Sequence, residues 1–265
     1  MDINMIIDTF CYFNEKELLE LRIRMLYDYV DKFIICEGDR THKGDYKGFT
    51  LQRVLEGLDI PQDKIQIIEV QMPSYEEQPN AWVRERMQRD AAAAYIKSTD
   101  VCIVSDLDEI PDPKKINLHI AQLSRISKTV LFLDMYNLQQ RADLEVYIKQ
   151  KRVYWRAAYI CKGSTFTEHT MSQLREHLTL GRVIHGFKYK YAYEADVPHV
   201  AGWHFSWMGD NVKKLESFLH WDEFTQLYEN QDILGRDHHT LVEFSKDSLP
   251  KEITELPHIK KYLLP

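Results

Sequence analysis

Apolar runs alternate with helix-spaced patterns through the first half of the chain. Residues 5–13, 32–37 and 65–70 read as strands, and residues 101–104, Val-Cys-Ile-Val, as a short strand apolar at every position. Between them, residues 15–29 place Leu18, Leu19, Leu21, Ile23, Met25 and Leu26 close to helical spacing. Residues 51–58 predict a second helix, and residues 80–97, with the helix formers Ala91 to Ala94, a long third one. Strands separated by helices imply βαβ units: an α/β fold with a mostly parallel central sheet and helices on both faces. Pro111 and Pro113 stop the fourth strand, and residues 116–123 begin the next helix.

From residue 129 the pattern changes. Aromatic-rich segments at 130–138 and 153–160, then a polar stretch at 163–175, predict a smaller, mixed and partly antiparallel portion. Helices are expected at 211–218 and 222–228 to close the fold. With no repeat, low-complexity tract or linker composition, one continuous domain over residues 1–265 is the simplest organisation, with halves meeting near residue 125.

Composition narrows the function classes. A chain of 265 residues, 44% hydrophobic and 28% charged, can bury a large core without disulfides. Its net charge of -7 argues against nucleic acid or anionic lipid as a partner. The basic-aromatic runs at 147–156 and 188–193 therefore read as a solvated sheet edge, or a rim for diphosphate and glycan. Cys11, Cys36, Cys102 and Cys161 show no pairing or zinc spacing and read as reduced core residues. The first residues break their apolar run with acids, and no stretch approaches the ~20 apolar residues of a membrane span, so the expectation is a cytoplasmic protein without a span.

The chemistry concentrates at Ser105-Asp106-Leu107-Asp108-Glu109, at the carboxyl end of the fourth strand. Ligands of open α/β sheets bind beyond that end of the strands. Two carboxylates at i and i+2, where the chain leaves the pleat, can converge on a hard cation, Mn²⁺ or Mg²⁺, with substrate phosphates completing its shell.

Four ordered segments resemble glycosyltransferase family 17: Ile7-Asp8-Thr9-Phe10-Cys11-Tyr12-Phe13-Asn14-Glu15, Val30 through Glu37, Val104 through Pro111, and Gly202-Trp203-His204-Phe205-Ser206-Trp207-Met208-Gly209. This is the family of the β-1,4-mannosyl-glycoprotein 4-β-N-acetylglucosaminyltransferase. The resemblance implies a GT-A-like nucleotide-sugar-binding fold, with a donor half at 1–125 and an acceptor half after it. It also implies UDP-GlcNAc as donor, a carbohydrate or glycoconjugate acceptor, a divalent metal, and inversion at the anomeric carbon. Within it Asp106 and Asp108 hold the metal, with His204 as a third ligand or phosphate contact; a lone strand histidine can equally be structural. Arg89 and Asp90 face the nucleotide, or Arg89 forms an ion-pair stripe with Glu85. Asp8 and Thr9 face the nucleoside or satisfy backbone groups. Glu37 meets uracil or ribose and Arg40 a phosphate, unless they form a strand-end salt bridge. Trp203 and Trp207 offer faces for a sugar ring, or pack inward. Inverting transfer needs a general base, for which Glu223 is nominated, with Asp222 and Asp134 as alternates.

Two other classes compete. A phosphatase of the haloacid dehalogenase type also places Asp-x-Asp after an apolar strand, but there the position of Ile110 carries Thr or Val, and the triplet here follows three earlier strands. A non-catalytic glycan-binding protein would use the chain's 31 aromatic residues (11 Phe, 5 Trp, 15 Tyr) to grip its ligand without a metal.

Overall fold

A computed structural model describes residues 4–124, 129–179, 188–191, 200–208 and 239–264. The elements run β1 (Ile6–Tyr12), α1 (Lys16–Leu26), β2 (Lys32–Gly38), α2 (Leu51–Glu56), β3 (Ile65–Val70), α3 (Ala81–Asp90), β4 (Val101–Val104), β5 (Glu109–Pro111), α4 (Pro113–Ser124), β6 (Thr129–Phe132), β7 (Met135–Gln139) and β8 (Leu144–Ile148). They continue with β9 (Lys151–Arg152), β10 (Tyr154–Trp155), β11 (Tyr159–Lys162), α5 (Met171–Thr179), β12 (Lys188–Tyr191), β13 (Gly202–Ser206), β14 (His239–Glu243), α6 (Lys251–Glu255) and α7 (Pro257–Leu263).

The expected strands and helices of the first half are present, with one difference. The long helix at 80–97 ends its α-helical part at Asp90 and tightens to a 3₁₀ turn over Ala91–Tyr95. Asn80 caps it, its side chain accepting the Trp82 N–H at 3.0 Å.

The central sheet has the order β12-β6-β11-β4-β1-β2-β3. Its β4-β1-β2-β3 half is wholly parallel. β11 lies antiparallel to both β4 and β6, so the sheet is mixed. The apolar runs of its strands follow from burial on both faces. Phe33, Ile35, Val101 and Ile103 join a core with Leu18 to Leu26 of α1 and Ile116, Ile120 and Leu123 of α4. Ile34, Cys36, Cys102 and Val104 point the other way, onto Ala92 and onto Met171 and Leu174 of α5. All four cysteines are free thiols, three of them buried.

A second sheet, ordered β14-β8-β7-β13-β5, forms the mixed portion expected of the second half. Two of its features depart from the sequence pattern. The segment read as one run at 130–138 splits, β6 entering the first sheet and β7 the second. The chain after Asp108 does not pass straight to α4 but contributes β5 beside β13. Gly202 permits that contact, because a Cβ there would lie 2.3 Å from the Ile110 carbonyl oxygen. The helices expected at 211–218 and 222–228 lie outside the described residues.

The strand order sets the site. The chain builds β1, β2 and β3 outward, then returns to place β4 on the other side of β1. The crevice beyond the carboxyl ends of β1 and β4 is therefore a topological switch point, and Ser105 to Asp108 lines it.

Candidate active site

The acidic loop is pinned from beneath by Arg22 of α1, a fully buried arginine that helical spacing alone marks only as a core-facing position. Arg22 Nε and Nη2 bind the two oxygens of buried Asp8 at 2.8 and 2.6 Å. Nη2 also donates to Ser105 Oγ at 2.6 Å, while Nη1 reaches the carbonyls of Asp106 (2.8 Å), Leu107 (3.3 Å) and Glu109 (2.9 Å). A charge in this core is tolerable only because its donors are engaged. The guanidinium thereby dictates the path of the loop backbone.

From the other side the loop is held by α5. Asp90 accepts the Ser172 N–H at 2.8 Å near the start of that helix, and Arg86 pairs with Glu176 at 2.5 Å, so α5 docks on α3. Arg175 then reaches buried Glu109 through Nη1 (2.9 Å) and Nη2 (2.7 Å), and Asp106 Oδ2 at 2.5 Å. Glu109 also accepts from the Trp155 indole and, at 2.8 Å, from the Asp106 N–H. The other oxygen of Asp106 accepts from Arg89 Nη2 at 2.8 Å, and Arg89 Nη1 pairs with Glu85 at 2.8 Å. Withdrawal from water pushes the Asp106 carboxyl up, but Arg175 and Arg89 outweigh that and hold it well below the usual carboxylate range.

Asp108 meets β13. Its carbonyl accepts the Phe205 N–H at 2.8 Å, and the register that sets His204 opposite Glu109 brings His204 Nε2 to 3.8 Å from Asp108 Oδ2. The imidazole is fixed twice: it stacks on Trp155, with centroids 4.3 Å apart and planes 22° apart, and its Nδ1 lies 3.3 Å from Asn137 Oδ1. With Nδ1 donating to Oδ1, which can only accept, a neutral ring would carry its lone pair on Nε2, the nitrogen 3.8 Å from Asp108 Oδ2.

These residues suit a divalent cation in two respects. The 3.8 Å between His204 Nε2 and Asp108 Oδ2 is under ~1 Å wider than the ~3 Å of adjacent ligands on an octahedral ion, so a small closure lets both share one. The carboxylates of Glu85, Asp106, Asp108 and Glu109 face the two guanidiniums of Arg89 and Arg175, an excess of two negative charges that matches one such ion. Asp106, expected as a ligand, has both oxygens on arginines. Among the described residues no group of three His, Cys, Asp or Glu stands ready to hold a metal.

Several of the other expected contacts are engaged within the protein. Asp8 is fully buried with Arg22 across both oxygens, leaving it no surface for a nucleoside. Thr9 is buried, and its carbonyl accepts the Ser105 N–H at 3.3 Å. Glu37, also buried, accepts from Lys47 Nζ, from the Thr50 N–H and hydroxyl, and from the Leu51 N–H, closing the loop into α2. Arg40 donates to the carbonyls of Met72 (3.0 Å) and Gly44 (3.1 Å) with its guanidinium against Tyr46, tying two loops together. Asp90 serves the α5 N-terminus. Trp203 is half-buried, packs against the core and donates its indole N–H to the Ser248 carbonyl at 3.0 Å; Trp207 is buried. Asp134 pairs with Arg156 at 2.5 Å. Glu223 and Asp222 lie outside the described residues. Sequence reasoning missed Arg22, Asn137, Trp155 and Arg175; the one signal available was a charged residue, Arg22, inside an otherwise apolar helix face.

Among solved structures, the chain is similar to a 4-diphosphocytidyl-2C-methyl-D-erythritol synthase, at 9% identity and a TM-score of 0.40, over 73% of this chain and 93% of that one. An active-site mutant of LgtC is similar at 10% identity and a TM-score of 0.36, over 71% of this chain and 72% of its own. No curated protein matches the chain. The family pattern is decisive where these distant likenesses are not, and it leaves no place for the phosphatase or the silent glycan binder. It runs from residue 2 to residue 236, taking in β1, the acidic loop on its arginine supports, and β13 with His204: the chain belongs to glycosyltransferase family 17 and is a glycosyltransferase.

Proposed function

We propose that the protein transfers GlcNAc from UDP-GlcNAc to a carbohydrate hydroxyl, with inversion at the anomeric carbon, and that it depends on Mn²⁺ or Mg²⁺ held by Asp108 and His204. The observation that carries this reading is the meeting of Asp108 and His204 at the switch point of the sheet, with two arginines beside them. The mixed α/β architecture suits a GT-A-like donor site. The cation supplies charge neutralisation for the departing diphosphate.

The chain's own residues do the rest. Arg22 and Glu109 hold the loop so that Asp108 stands toward β13, and Trp155 and Asn137 keep the imidazole of His204 in one orientation and tautomer. Arg89 and Arg175 hold the Asp106 carboxylate beside that site. Deprotonation of the acceptor hydroxyl is assigned to Glu223, with Asp222 as its neighbour, since Asp134 is engaged by Arg156. Among the described residues no helix is long and apolar enough to cross a membrane.

The test is a panel of UDP-sugars incubated with the protein, with Mn²⁺ or with EDTA, and assayed for UDP. Slow release from UDP-GlcNAc that requires the metal is expected. Equal release in EDTA, or release from other UDP-sugars only, would overturn the reading.

A further inference from the structure

Asp106 is bound as a ligand would be. Each of its oxygens sits on a different guanidinium, Arg89 Nη2 at 2.8 Å and Arg175 Nη2 at 2.5 Å, and guanidinium forks bind carboxylate and phosphate oxygens alike. The arginine side chains are only 7% and 9% exposed, whereas the Asp106 side chain is 38% exposed, so it is the carboxylate that can swing outward. Both arginines are also gripped from behind, Arg89 by Glu85 at 2.8 Å and Arg175 by Glu109 at 2.7 Å, which keeps them in place without Asp106. Arg89 Nε is buried with no hydrogen-bond partner, a donor in hand for a larger anion.

We propose that Asp106 is a placeholder: in the donor-free protein its carboxylate occupies, on Arg89 and Arg175, the site taken by the diphosphate of the nucleotide donor, whose arrival releases Asp106 to join Asp108 as a cation ligand. This inference rests on the functional reading above and adds an order to it. While clamped, Asp106 is withheld from the cation; once displaced, it completes the donor set. Diphosphate and cation then favour the same released state, and each must strengthen the other by an equal factor.

Because a cation also touches diphosphate directly, coupling in the unaltered protein is not diagnostic, and the variants decide. Mn²⁺ alone is titrated by the electron paramagnetic resonance of the unbound ion, and UDP alone in EDTA by calorimetry. With Arg175→Gln, Mn²⁺ alone is expected to bind about fivefold or more tighter, because Asp106 is then held by Arg89 alone and released more readily, while UDP binds about tenfold weaker. Asp106→Asn gives a second route if that variant does not fold: UDP in EDTA is expected to bind several-fold tighter, since the arginines lose a competing anion. A merely structural role would weaken both ligands in both variants, and that result overturns the proposal. If the unaltered protein binds neither Mn²⁺ nor UDP, the functional reading falls with it; if it binds both and the variants shift them together, only the placeholder falls.

Discussion

Replacing Arg22 with methionine isolates the contact on which the loop's path depends. The substitution leaves the buried Asp8 carboxylate without its partner, at a cost of about 3–5 kcal/mol for a broken internal pair. Three loop carbonyls and Ser105 Oγ also lose their donor, each worth about 1 kcal/mol where the neighbourhood adjusts and more where it does not. These overlap, so a total on the order of 5 kcal/mol is expected, a large share of the ~5–15 kcal/mol available to a whole domain. For a chain of this size that is a fall in Tm of about 10–20 °C, read by circular dichroism. The pair variant Arg22→Met with Asp8→Leu removes the stranded charge and should recover roughly half of the loss, the backbone contacts staying broken. A single variant melting within about 3 °C of the unaltered protein, or a pair variant worse than the sum of the singles, would refute the assignment of Arg22 as the pin.

Three further outcomes are expected. Asp108→Asn should abolish metal-dependent release of UDP while shifting Tm by less than about 2 °C, because the substituted side chain lies at the mouth of the crevice and the Asp108 carbonyl bond to Phe205 is retained; undiminished activity would remove Asp108 from the site. Asn137→Leu takes away the acceptor that sets the tautomer of His204, and Mn²⁺ affinity measured in solution should fall about 10–100-fold; an unchanged value would place the imidazole outside the metal site. Acid should weaken the fold in a defined window. Burial pushes the Glu85 carboxyl up, but Arg89 and His42 hold it below its ordinary value, and Asp106 is held lower still by Arg175 and Arg89. Groups with depressed pKa stabilise the fold above the unfolded value and lose that contribution as pH falls through the folded one. The urea midpoint should therefore hold from about pH 7 to 5 and decline below about pH 4; a midpoint that rises with acid would contradict the ion-pair network.

Much of the scaffold was legible in the residues. β2 and β4 are apolar at successive positions, Phe33 to Cys36 and Val101 to Val104, because helices cover both faces of the sheet, a pattern that survives in sequence as uninterrupted runs. The acidic loop was locatable because it follows such a run, and the Gly-Trp-His segment through its resemblance to the family; the close strand contact that its glycine permits came only with the fold. The split of residues 130–138 between two sheets was not legible, since both pieces are apolar and periodicity does not say which sheet a strand enters.

The sequence by itself determined where the carboxylates stand along the chain, and only the tertiary structure decided what each one does. Asp8 and Glu37 look like ligand contacts in a strand-end motif, yet the folded chain closes them against Arg22 and against the Lys47 to Leu51 segment. Asp106 and Asp108 look equivalent two residues apart, yet one is clamped by arginines and the other faces an imidazole. Arg175 lies 69 positions from Asp106 and reaches it only because α5 docks on α3. Hydrophobic periodicity is a local property written into neighbouring residues, whereas the pairing of charges in a low-dielectric crevice depends on distances that exist only after the sheet order has brought remote segments together.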